Sequence, residues 1–400
     1  MRISWLLGGA LTASLLVVST AKADSCPADA VFVHGSSASQ KIVEAIAKVA
    51  YSNNAIKIIY SSSKSSCGGG VYDVTHPTGG SYVGTALTSW DANNQAATCT
   101  FDTGRAANIG VSDVYPTSCA GIGGLDSPLT LPADVDDVLG PVQAFTLAVH
   151  DDPSYPVAIS AEAAFNTLGI TGRSNTDFTV TPWTIPADIY GRAEDSGTWQ
   201  TWARNLGLVT SRPVTSAQQT GAGAVLNLLN TSARASAIGI IALNDIVATG
   251  GTVPVVRPLA FKARGQDFAY YPSSTSTASD LINVRDGHYQ TWANLHFLPR
   301  KTNNGAYPAN VATVISLLEN QATVAAVSKI RAVPKCAMQV SRASDGGDFS
   351  AYAPTAPCGC YFEQQASGTA PTTCKTCTDA TAATDCGSAA QCVFGFCEAK

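Results

Sequence analysis

The sequence predicts an α/β protein of two lobes, followed by a small disulfide-rich tail. The chain has 400 residues, which exceeds the usual size of one domain. Apolar strand-like segments alternate with helical segments up to residue 335, a pattern typical of α/β layers with a parallel sheet. From residue 336 to 400 the apolar periodicity stops and cysteines become frequent, which indicates a disulfide-stapled tail too small to form a core unaided.

The first residues have the pattern of a secretion signal. Arg2 supplies a positive charge, residues 3–18 form an apolar run, and Ala21-Lys22-Ala23 is a small-x-small cleavage site. We therefore expect residues 1–23 to be removed and the mature chain to lie in the periplasm, outside the cell or on its surface. The apolar run is too short for a membrane anchor, and no other stretch is long and apolar enough to span a bilayer.

The charge balance excludes one class of partner. The chain carries 24 Lys and Arg residues against 29 Asp and Glu residues, a net charge of −5, and 13% of its residues are charged. This balance offers no basic face for nucleic acid. A protein of this charge that binds an anion must use local, desolvated donors, because its overall field does not attract the ligand.

Twelve cysteines in an exported chain predict disulfides. Four lie between Cys26 and Cys119 and eight between Cys336 and Cys397, so each group can pair internally. The spacing Cys374-x-x-Cys377 would suit zinc in a reducing compartment, but oxidised pairs are the usual outcome outside the cytosol. We expect no metal and no cofactor, and the pairing of the cysteines stays open.

Three strands in the first part of the chain each end in a polar turn. The first turn is followed by a helix, and Ser37 and Gln40 have the spacing of a capping box at its start. The glycines of the second turn allow successive N–H groups to line one concavity. The strands with their turns are 30–33 with His34–Gln40, Ile56–Tyr60 with Ser61–Gly70, and 107–111 with Ser112 and Asp113.

The strand Gln143–His150 is where we place the first crossing between lobes. This predicts a first lobe at 24–148, a second lobe at 149–252 and a return to the first lobe at 253–335. The other predicted elements are a helix at Ser160–Leu168, apolar segments at Gly223–Leu229 and Ala237–Leu243, returning strands at Val255–Phe261 and Trp292–Leu298, and a helix at Asn310–Val327.

The stretch Tyr190–Trp199 carries the strongest functional pattern. It contains the end of a strand, a tight turn with an arginine, a glycine and two hydroxyls, and the start of a helix that reaches Leu206. Free N–H groups, hydroxyl donors and a guanidinium at one point form a site for an oxyanion. A serine or threonine at a helix start is usually only a cap. Four polar turns beyond strand ends, however, are where open α/β sheets bind ligands.

These turns resemble those of the phosphate-binding proteins of bacterial ABC importers, which are two-lobed periplasmic binding proteins. The resemblance covers about residues 30–335 and implies their fold, with a hinge and a central cleft. It also implies an exported solute-binding protein that binds phosphate or a related oxyanion, without catalysis, and works with an ABC permease. The matching pieces are Gly35–Ser39, Ser65–Gly69, Ile109–Asp113, Phe145–Val149, Arg192–Thr198 and Ala237–Ile241.

The resemblance also implies which residues hold the ligand. It places donors Ser39 and Ser66 on one lobe, and it places Glu194 where the family keeps an acid that orients the arginine. The donors that it implies from the other lobe are Arg192, Ser196, Gly197 and Thr198. The chain departs from the family at Asp195, Ser37 and Ser39, and the cysteine-rich tail is no part of the family pattern.

Asp113 is the residue that we expect to distinguish between oxyanions. A carboxylate that faces an anion in a dry cleft is repulsive unless a proton lies between them. Monohydrogen phosphate carries such a proton, whereas sulfate does not, and two acceptors face to face cost several kcal/mol. The alternative for Asp113 is an ordinary turn or helix-cap aspartate.

Two other classes of protein compete with this interpretation. The segment Val31–Gly35 resembles the strand and His-Gly turn of α/β-hydrolases, but the chain lacks the Gly-x-Ser-x-Gly elbow of that fold, and Gly110-Val-Ser112-Asp-Val departs from it at the last position. A metal-dependent phosphatase is disfavoured because His and Asp do not cluster. The tail, which resembles short cysteine-rich repeats of secreted bacterial surface proteins, favours a third possibility, an adhesive or structural protein with a vestigial pocket.

Overall fold

A computed structural model of the chain describes residues 25–77, 87–90, 96–101, 105–247 and 255–399. The predicted secretion signal at 1–23 lies outside these residues and stays a prediction. The described strands are β1 (Val31–Gly35), β2 (Ile58–Ser61), β3 (Leu87–Trp90), β4 (Ala96–Cys99), β5 (Ile109–Ser112), β6 (Val138–His150), β7 (Ala158–Ser160), β8 (Ile189–Arg192), β9 (Gln218–Gln219), β10 (Ile238–Ala242), β11 (Val256–Pro258), β12 (Ala260–Lys262), β13 (Trp292–Pro299), β14 (Val340–Ser341), β15 (Ser350–Ala351), β16 (Ala390–Val393) and β17 (Phe396–Ala399). The described α-helices are α1 (Gln40–Asn54), α2 (Tyr72–Thr75), α3 (Ala161–Gly169), α4 (Gly197–Leu206), α5 (Ala222–Thr231), α6 (Ile282–Arg285), α7 (Ala309–Ser316), α8 (Gln321–Ser328), α9 (Gly359–Ser367) and α10 (Ala382–Cys386).

One large mixed sheet connects the two halves of the molecule. Its strand order is β4-β3-β2-β1-β5-β13-β6-β10-β8-β9, and β11 also pairs with β6. Strand β1 is parallel to β2 and β5, and β8 is parallel to β10 and β9. The prediction of a parallel sheet therefore holds for the strands that carry the polar turns. It is wrong for β13 and β6, which run antiparallel to their neighbours.

The long strand β6 belongs to both ends of this sheet. Its first half, Val138–Ala144, pairs with β13, and its second half pairs with β10 and β11. Nearly all of its residues are buried, which explains its continuous apolar sequence. The chain thus passes at β6 from the strands around β1 to the strands around β10. The lobe boundaries at residues 148, 252 and 335 stay a prediction.

Two apolar clusters hold the two ends of the sheet. In the first, α1 packs Ile42 and Ile46 against β1 and β2, as its apolar positions at helical spacing predict. In the second, α4 buries Trp199 and Trp202 completely against the strands around β10. Each cluster fixes a helix whose first residues border the same edge of the sheet.

The helix expected at Asn310–Val327 is in fact two helices. Helices α7 and α8 are separated by a 3₁₀ turn and by Asn320, whose extended backbone breaks the helix and whose side chain accepts a hydrogen bond from the Ala322 N–H at 2.8 Å. This local cap competes with helix continuation, as asparagine side chains commonly do. In the described part of the chain, no single helix passes a length and composition test for crossing a membrane, although Ala309–Glu319 and Gln321–Ser328, bent by 65°, pass it together.

All twelve cysteines form disulfides, which confirms the expected oxidised framework. Cys374 and Cys377, the pair with zinc-like spacing, bond to different partners, so neither is a free thiolate. The sulfurs of Cys377, Cys386 and Cys397 lie within 4.8 Å of one another because two disulfides are neighbours. The pairs are Cys26–Cys99, Cys67–Cys119, Cys336–Cys358, Cys360–Cys374, Cys377–Cys392 and Cys386–Cys397.

The cysteine-rich tail packs against the rest of the molecule. Phe362 and Phe396 are buried in the same apolar cluster as the residues of β10 and α4. Arg285 joins the two parts, since its Nη1 lies 2.5 Å from Glu363 Oε1 and its Nε donates to the Ala337 carbonyl at 2.9 Å. The tail therefore shares a core with the body, as its small size requires.

Candidate functional site

The carboxyl ends of β1, β2, β5, β8 and β10 all lead into turns that contact one another. The turn after β1 is a 3₁₀ turn at Ser37–Ser39, and the turn after β2 is a π-helical turn at Ser66–Val71. Strand β8 ends in Arg192, four residues before the N-cap of α4 at Ser196. These turns form the candidate site, because parallel strands bring their carboxyl ends to one edge of a sheet.

Two glycines let the π-helical turn lie directly on β5. A Cβ on Gly110 would come within 2.0 Å of the Gly70 carbonyl oxygen, and a Cβ on Gly70 would come within 2.2 Å of the Val111 oxygen. No other residue type fits at such distances. This close approach brings Ser66, at the start of the turn, beside Asp113 at the end of β5.

Asp113 is a fully buried carboxylate held by two serines. The Ser36 hydroxyl donates to its Oδ2 at 2.9 Å, and the Ser66 hydroxyl donates to its Oδ1. The backbone N–H of Asp113 donates in turn to Ser66 Oγ at 3.3 Å. Burial raises the pKa of the Asp113 carboxyl, while these hydrogen bonds and the positive charge of Arg192 oppose that shift.

The start of α4 lies against the Asp113 carboxylate. A Cβ on Gly197 would come within 1.8 Å of Asp113 Oδ1 and 2.9 Å of Ser66 Oγ, so only glycine permits this contact. The Cys67 N–H also donates to the Asp195 carbonyl at 3.2 Å. Ser196 makes no side-chain capping bond, and the buried Thr198 hydroxyl has no hydrogen-bond partner among the described residues. The helix start therefore keeps donor capacity that faces an acid.

Arg192 contributes a buried guanidinium to the same place. Its side chain is 2% exposed, and its Nη2 donates to Ser37 Oγ at 3.1 Å. Its Nε and Nη1 are buried without a hydrogen-bond partner in the part of the chain that the structure describes. Burial lowers the pKa of Arg192, and the charges of Asp113, Asp245 and Asp195 oppose that effect. Arg192 and Asp113 thus interact across the turns, which is the juxtaposition that the sequence predicts.

Ser39, which the resemblance implies as a donor to the ligand, has other contacts in this structure. The Ser39 hydroxyl donates to the Ser36 carbonyl at 2.8 Å and lies 3.0 Å from the Tyr60 hydroxyl, and it is Ser37 that reaches Arg192. The expected capping box is absent because Ser36 caps the 3₁₀ turn, accepting from the Ala38 N–H at 3.1 Å. In the first turn, Ser37 therefore contacts Arg192, whereas the Ser39 hydroxyl bonds within the turn.

Glu194 is half-buried, and among the described residues none of its hydrogen bonds or ion pairs involves Arg192. Its backbone carbonyl accepts from Gln200 Nε2 at 2.5 Å. The acids that act on the guanidinium are Asp113, Asp245 and Asp195. The orienting role that the resemblance implies for Glu194 is therefore not seen in these contacts.

Asp245 is the site residue that the sequence reasoning missed. It lies in the 3₁₀ turn Leu243–Ile246 after β10, is buried, and its Oδ2 has no hydrogen-bond partner among the described residues. Burial raises the pKa of Asp245 to about 7, Lys41 and Arg192 oppose this shift, and Asp113 adds to it. Its position in the turn beyond an apolar strand is the signal that could have identified it, since Asp113 also follows a strand of this sheet.

A buried histidine–aspartate pair joins β1 to α2. His34 Nδ1 is 2.5 Å from Asp73 Oδ2, and both side chains are almost completely buried. The other edge of the ring packs on the π-helical turn, where a Cβ on Gly69 would lie 3.1 Å from His34 Nε2. The sequence reasoning did not find this pair, because the two residues are 39 positions apart.

Comparison with solved structures shows the fold of the two-lobed solute-binding proteins. A structure described as a phosphate ABC transporter substrate-binding protein with bound phosphate, from Clostridium perfringens, has a TM-score of 0.50 and 12% identity, covering 76% of this chain and 99% of that one. An ABC-type phosphate transport receptor from Vibrio cholerae has a TM-score of 0.45 and 14% identity, with coverage of 76% and 99%. No family model and no curated protein match the sequence. At this identity the similarity shows the fold alone, and it confirms the predicted α/β class.

Proposed function

We propose that this chain is an exported binding protein that holds one inorganic phosphate between its two lobes and does no chemistry on it. An ABC permease would then receive the phosphate. The observation that carries this proposal is the arrangement around Asp113, where one buried carboxylate faces the start of α4 beside a buried guanidinium. Closure stabilises such a complex, because the anion contacts donors from both lobes.

The donors of the site suit a small tetrahedral anion. Arg192 has two buried nitrogens without a hydrogen-bond partner among the described residues. The Thr198 hydroxyl is also buried and has no such partner there. The first N–H groups of α4 add further donors at the same point. A guanidinium with helix N–H groups is a common combination for phosphate oxygens.

The acids of the site favour an anion that carries a proton. Asp113 and Asp245 both interact with Arg192, so the buried cluster already sets two acids against one guanidinium. A fully deprotonated anion would leave acceptors facing each other without a proton, which costs several kcal/mol. Monohydrogen phosphate can donate its proton to a carboxylate, and sulfate cannot.

A binding role is favoured over hydrolysis by the surroundings of the possible catalytic groups. His34 contacts Asp73, and the ring edge that does not face Asp73 packs on Gly69. A nucleophile would need a base within hydrogen-bond reach. The Ser66 hydroxyl donates to Asp113, a carboxylate of the proposed anion site, and not to an imidazole.

Isothermal titration calorimetry of the phosphate-stripped mature protein tests this function. We expect saturable 1:1 binding of phosphate, no detectable heat with sulfate, and weaker binding of a sugar phosphate because esterification replaces one of the oxygens that the buried donors would contact. Arg192→Ala should weaken phosphate binding by about 2–5 kcal/mol, since a buried charged donor is lost. Arg212→Ala, which removes an exposed arginine, is the matched control. Equal affinity for phosphate in both variants would contradict the proposed site.

A further inference from the structure

The segment Arg342–Gly347, at the start of the cysteine-rich tail, contacts the turn that carries Asp113. The Tyr115 N–H donates to Asp345 Oδ2 at 2.9 Å, and the Ser118 hydroxyl donates to the same oxygen at 2.6 Å. Asp345 is buried, although its neighbours Ser344 and Gly346 are exposed. A buried carboxylate with two donors is a specific link, because an unpaired one would be costly.

The same segment also contacts α4 on the other side. Gly346 has a φ of +70°, and a Cβ there would lie 2.9 Å from Arg204 Cβ and 3.0 Å from the Arg204 carbonyl carbon. Arg204 Nη2 in turn donates to the Ser118 carbonyl at 2.9 Å. Asp345 and Gly346 therefore lie between the turn after β5 and the helix α4, the two elements that meet at Asp113.

Arg342 anchors this segment to the body of the protein. Its guanidinium lies 4.1 Å from the centre of the Trp292 ring and 4.4 Å from the centre of the Phe349 ring. Its Nη2 donates to the Gln290 carbonyl at 2.7 Å, and its carbonyl accepts from the Tyr115 hydroxyl. The disulfide Cys336–Cys358 closes the loop that contains the segment. The segment is thus held at both ends as well as in its middle.

We propose that the segment Arg342–Gly347 is an interlobe clamp and that Asp345 is a positioning residue of the anion site. The clamp fixes the turn after β5 relative to α4, and so fixes Asp113 relative to Gly197 and Thr198. It also opposes separation of these elements, since opening would break the hydrogen bonds of Asp345 and the packing of Gly346. Ligand release in this protein therefore requires the clamp to yield. This last consequence rests on the proposed phosphate function, whereas the positioning role does not.

Hydrogen–deuterium exchange of the ligand-free full chain tests the positioning role. Asp345→Ala removes both hydrogen bonds and should speed amide exchange at least tenfold in Ser112–Cys119 and in α4, but not in α1. Asp345→Asn keeps an oxygen acceptor and should retain most of the protection. Asp348→Ala, which removes an exposed acid three residues away, is the control. Unchanged exchange in both segments, or an equal increase everywhere, would overturn the proposal.

Two further measurements separate the possible failures. If Asp345→Ala does not fold, Tyr115→Phe is the second variant, because it removes only the hydroxyl that donates to the Arg342 carbonyl. It should give a smaller increase of amide exchange in the same two segments, and no increase would overturn the clamp.

In stopped-flow fluorescence of the tryptophans on α4, Asp345→Ala should release phosphate at least fivefold faster than Asp348→Ala. An unchanged release rate would overturn the gating consequence. Absence of phosphate binding together with altered exchange would refute the proposed function and leave the clamp standing.

Discussion

Asp113, Arg192 and Asp245 determine the electrostatics of the candidate site. All three are buried, and burial alone disfavours the charged form of each. Their charged forms are compatible because the guanidinium interacts with both carboxylates. Lys41 also acts on Asp245, but Lys41 and Arg192 together cannot neutralise two acids and a divalent anion, so a bound ligand must bring a proton or one acid must take one. A proton, on the ligand or on one of the acids, is therefore part of recognition in the proposed site.

Asp113→Asn tests this argument most directly. The variant replaces an acceptor that needs a proton by an amide that can donate, so sulfate should bind with an affinity within about tenfold of that for phosphate. Titration calorimetry at pH 7 with both anions measures the ratio of the two affinities. Wild-type protein is the reference, and Asp267→Asn, an exposed acid elsewhere, is the control. If the variant still rejects sulfate, another residue discriminates between the anions.

Asp245 should give the folded protein a distinct pH dependence. Because burial raises the pKa of Asp245 to about 7, the folded state holds a proton on this group that the unfolded state loses near pH 4. The free energy of unfolding should therefore fall as pH rises from 4 to 7, and it should then level off. Lys41, Arg192 and Asp113 face this carboxylate and shift the window.

Denaturant unfolding of wild type and Asp245→Asn between pH 4 and 8 measures this effect. The amide cannot lose a proton, so the variant should gain stability relative to wild type as pH rises, by about 3 kcal/mol at pH 7. The free energy of unfolding of Asp348→Asn should change with pH in the same way as that of wild type. A constant difference between Asp245→Asn and wild type across this range would mean that Asp245 does not titrate there.

At the scale of elements, the strand–turn–helix units were readable from sequence because their signals are local. The apolar runs at β1, β5 and β13 and the helix behind Arg192 follow from periodicity. Helix α4 begins at Gly197, whereas the sequence predicts a helix over Trp199–Leu206, because Ser196 provides an N-cap backbone without a side-chain bond. The helix break at Asn320 was missed because an apolar period continues across it.

The contacts between turns were less predictable than the turns themselves. The resemblance implies that Ser39 donates to the ligand, and in this structure the Ser39 hydroxyl donates to the Ser36 carbonyl, because the first turn is a 3₁₀ turn that Ser36 caps. Asp245 was missed although it follows a predicted strand, since no local pattern says which acid faces Arg192. Partners set by three-dimensional approach, such as Gly197 against Asp113, have no signature in spacing.

The start of α4 gives a prediction that belongs to one element. Gly197→Ala places a methyl group where Asp113 Oδ1 and Ser66 Oγ lie, so the helix start can no longer approach the carboxylate. We expect phosphate affinity to fall at least tenfold, with far-ultraviolet circular dichroism unchanged. Gly223→Ala is the matched control, because Gly223 lies in the exposed first turn of α5 with no atom within 4 Å. That change should leave affinity unaltered and stabilise the protein by about 0.4–1 kcal/mol.

At the scale of the whole molecule, the fold class was predictable and the role of the tail was not. Alternating strands and helices define an α/β protein, and the count of cysteines defines an oxidised tail. The contacts of the tail join residues far apart in sequence, such as Asp345 with Tyr115, 230 positions away. No composition or period encodes such pairs. The tail consequently appears in sequence as an appendage, although it packs into the same core as α4.

The stability of the whole protein distinguishes a working binding site from a vestigial one. A ligand that binds only the folded state stabilises it in proportion to the logarithm of its concentration over its dissociation constant, which gives about 2.7 kcal/mol at 100-fold excess. An adhesive protein with a vestigial pocket gains nothing from phosphate. Differential scanning calorimetry with phosphate, with sulfate at equal ionic strength, and without either anion compares these possibilities. We expect Tm to rise with phosphate alone and this rise to vanish in Arg192→Ala, because the lost guanidinium removes the preference of phosphate for the closed state. A rise that sulfate reproduces, or that Arg192→Ala retains, would assign the stabilisation to general anion binding elsewhere on the surface.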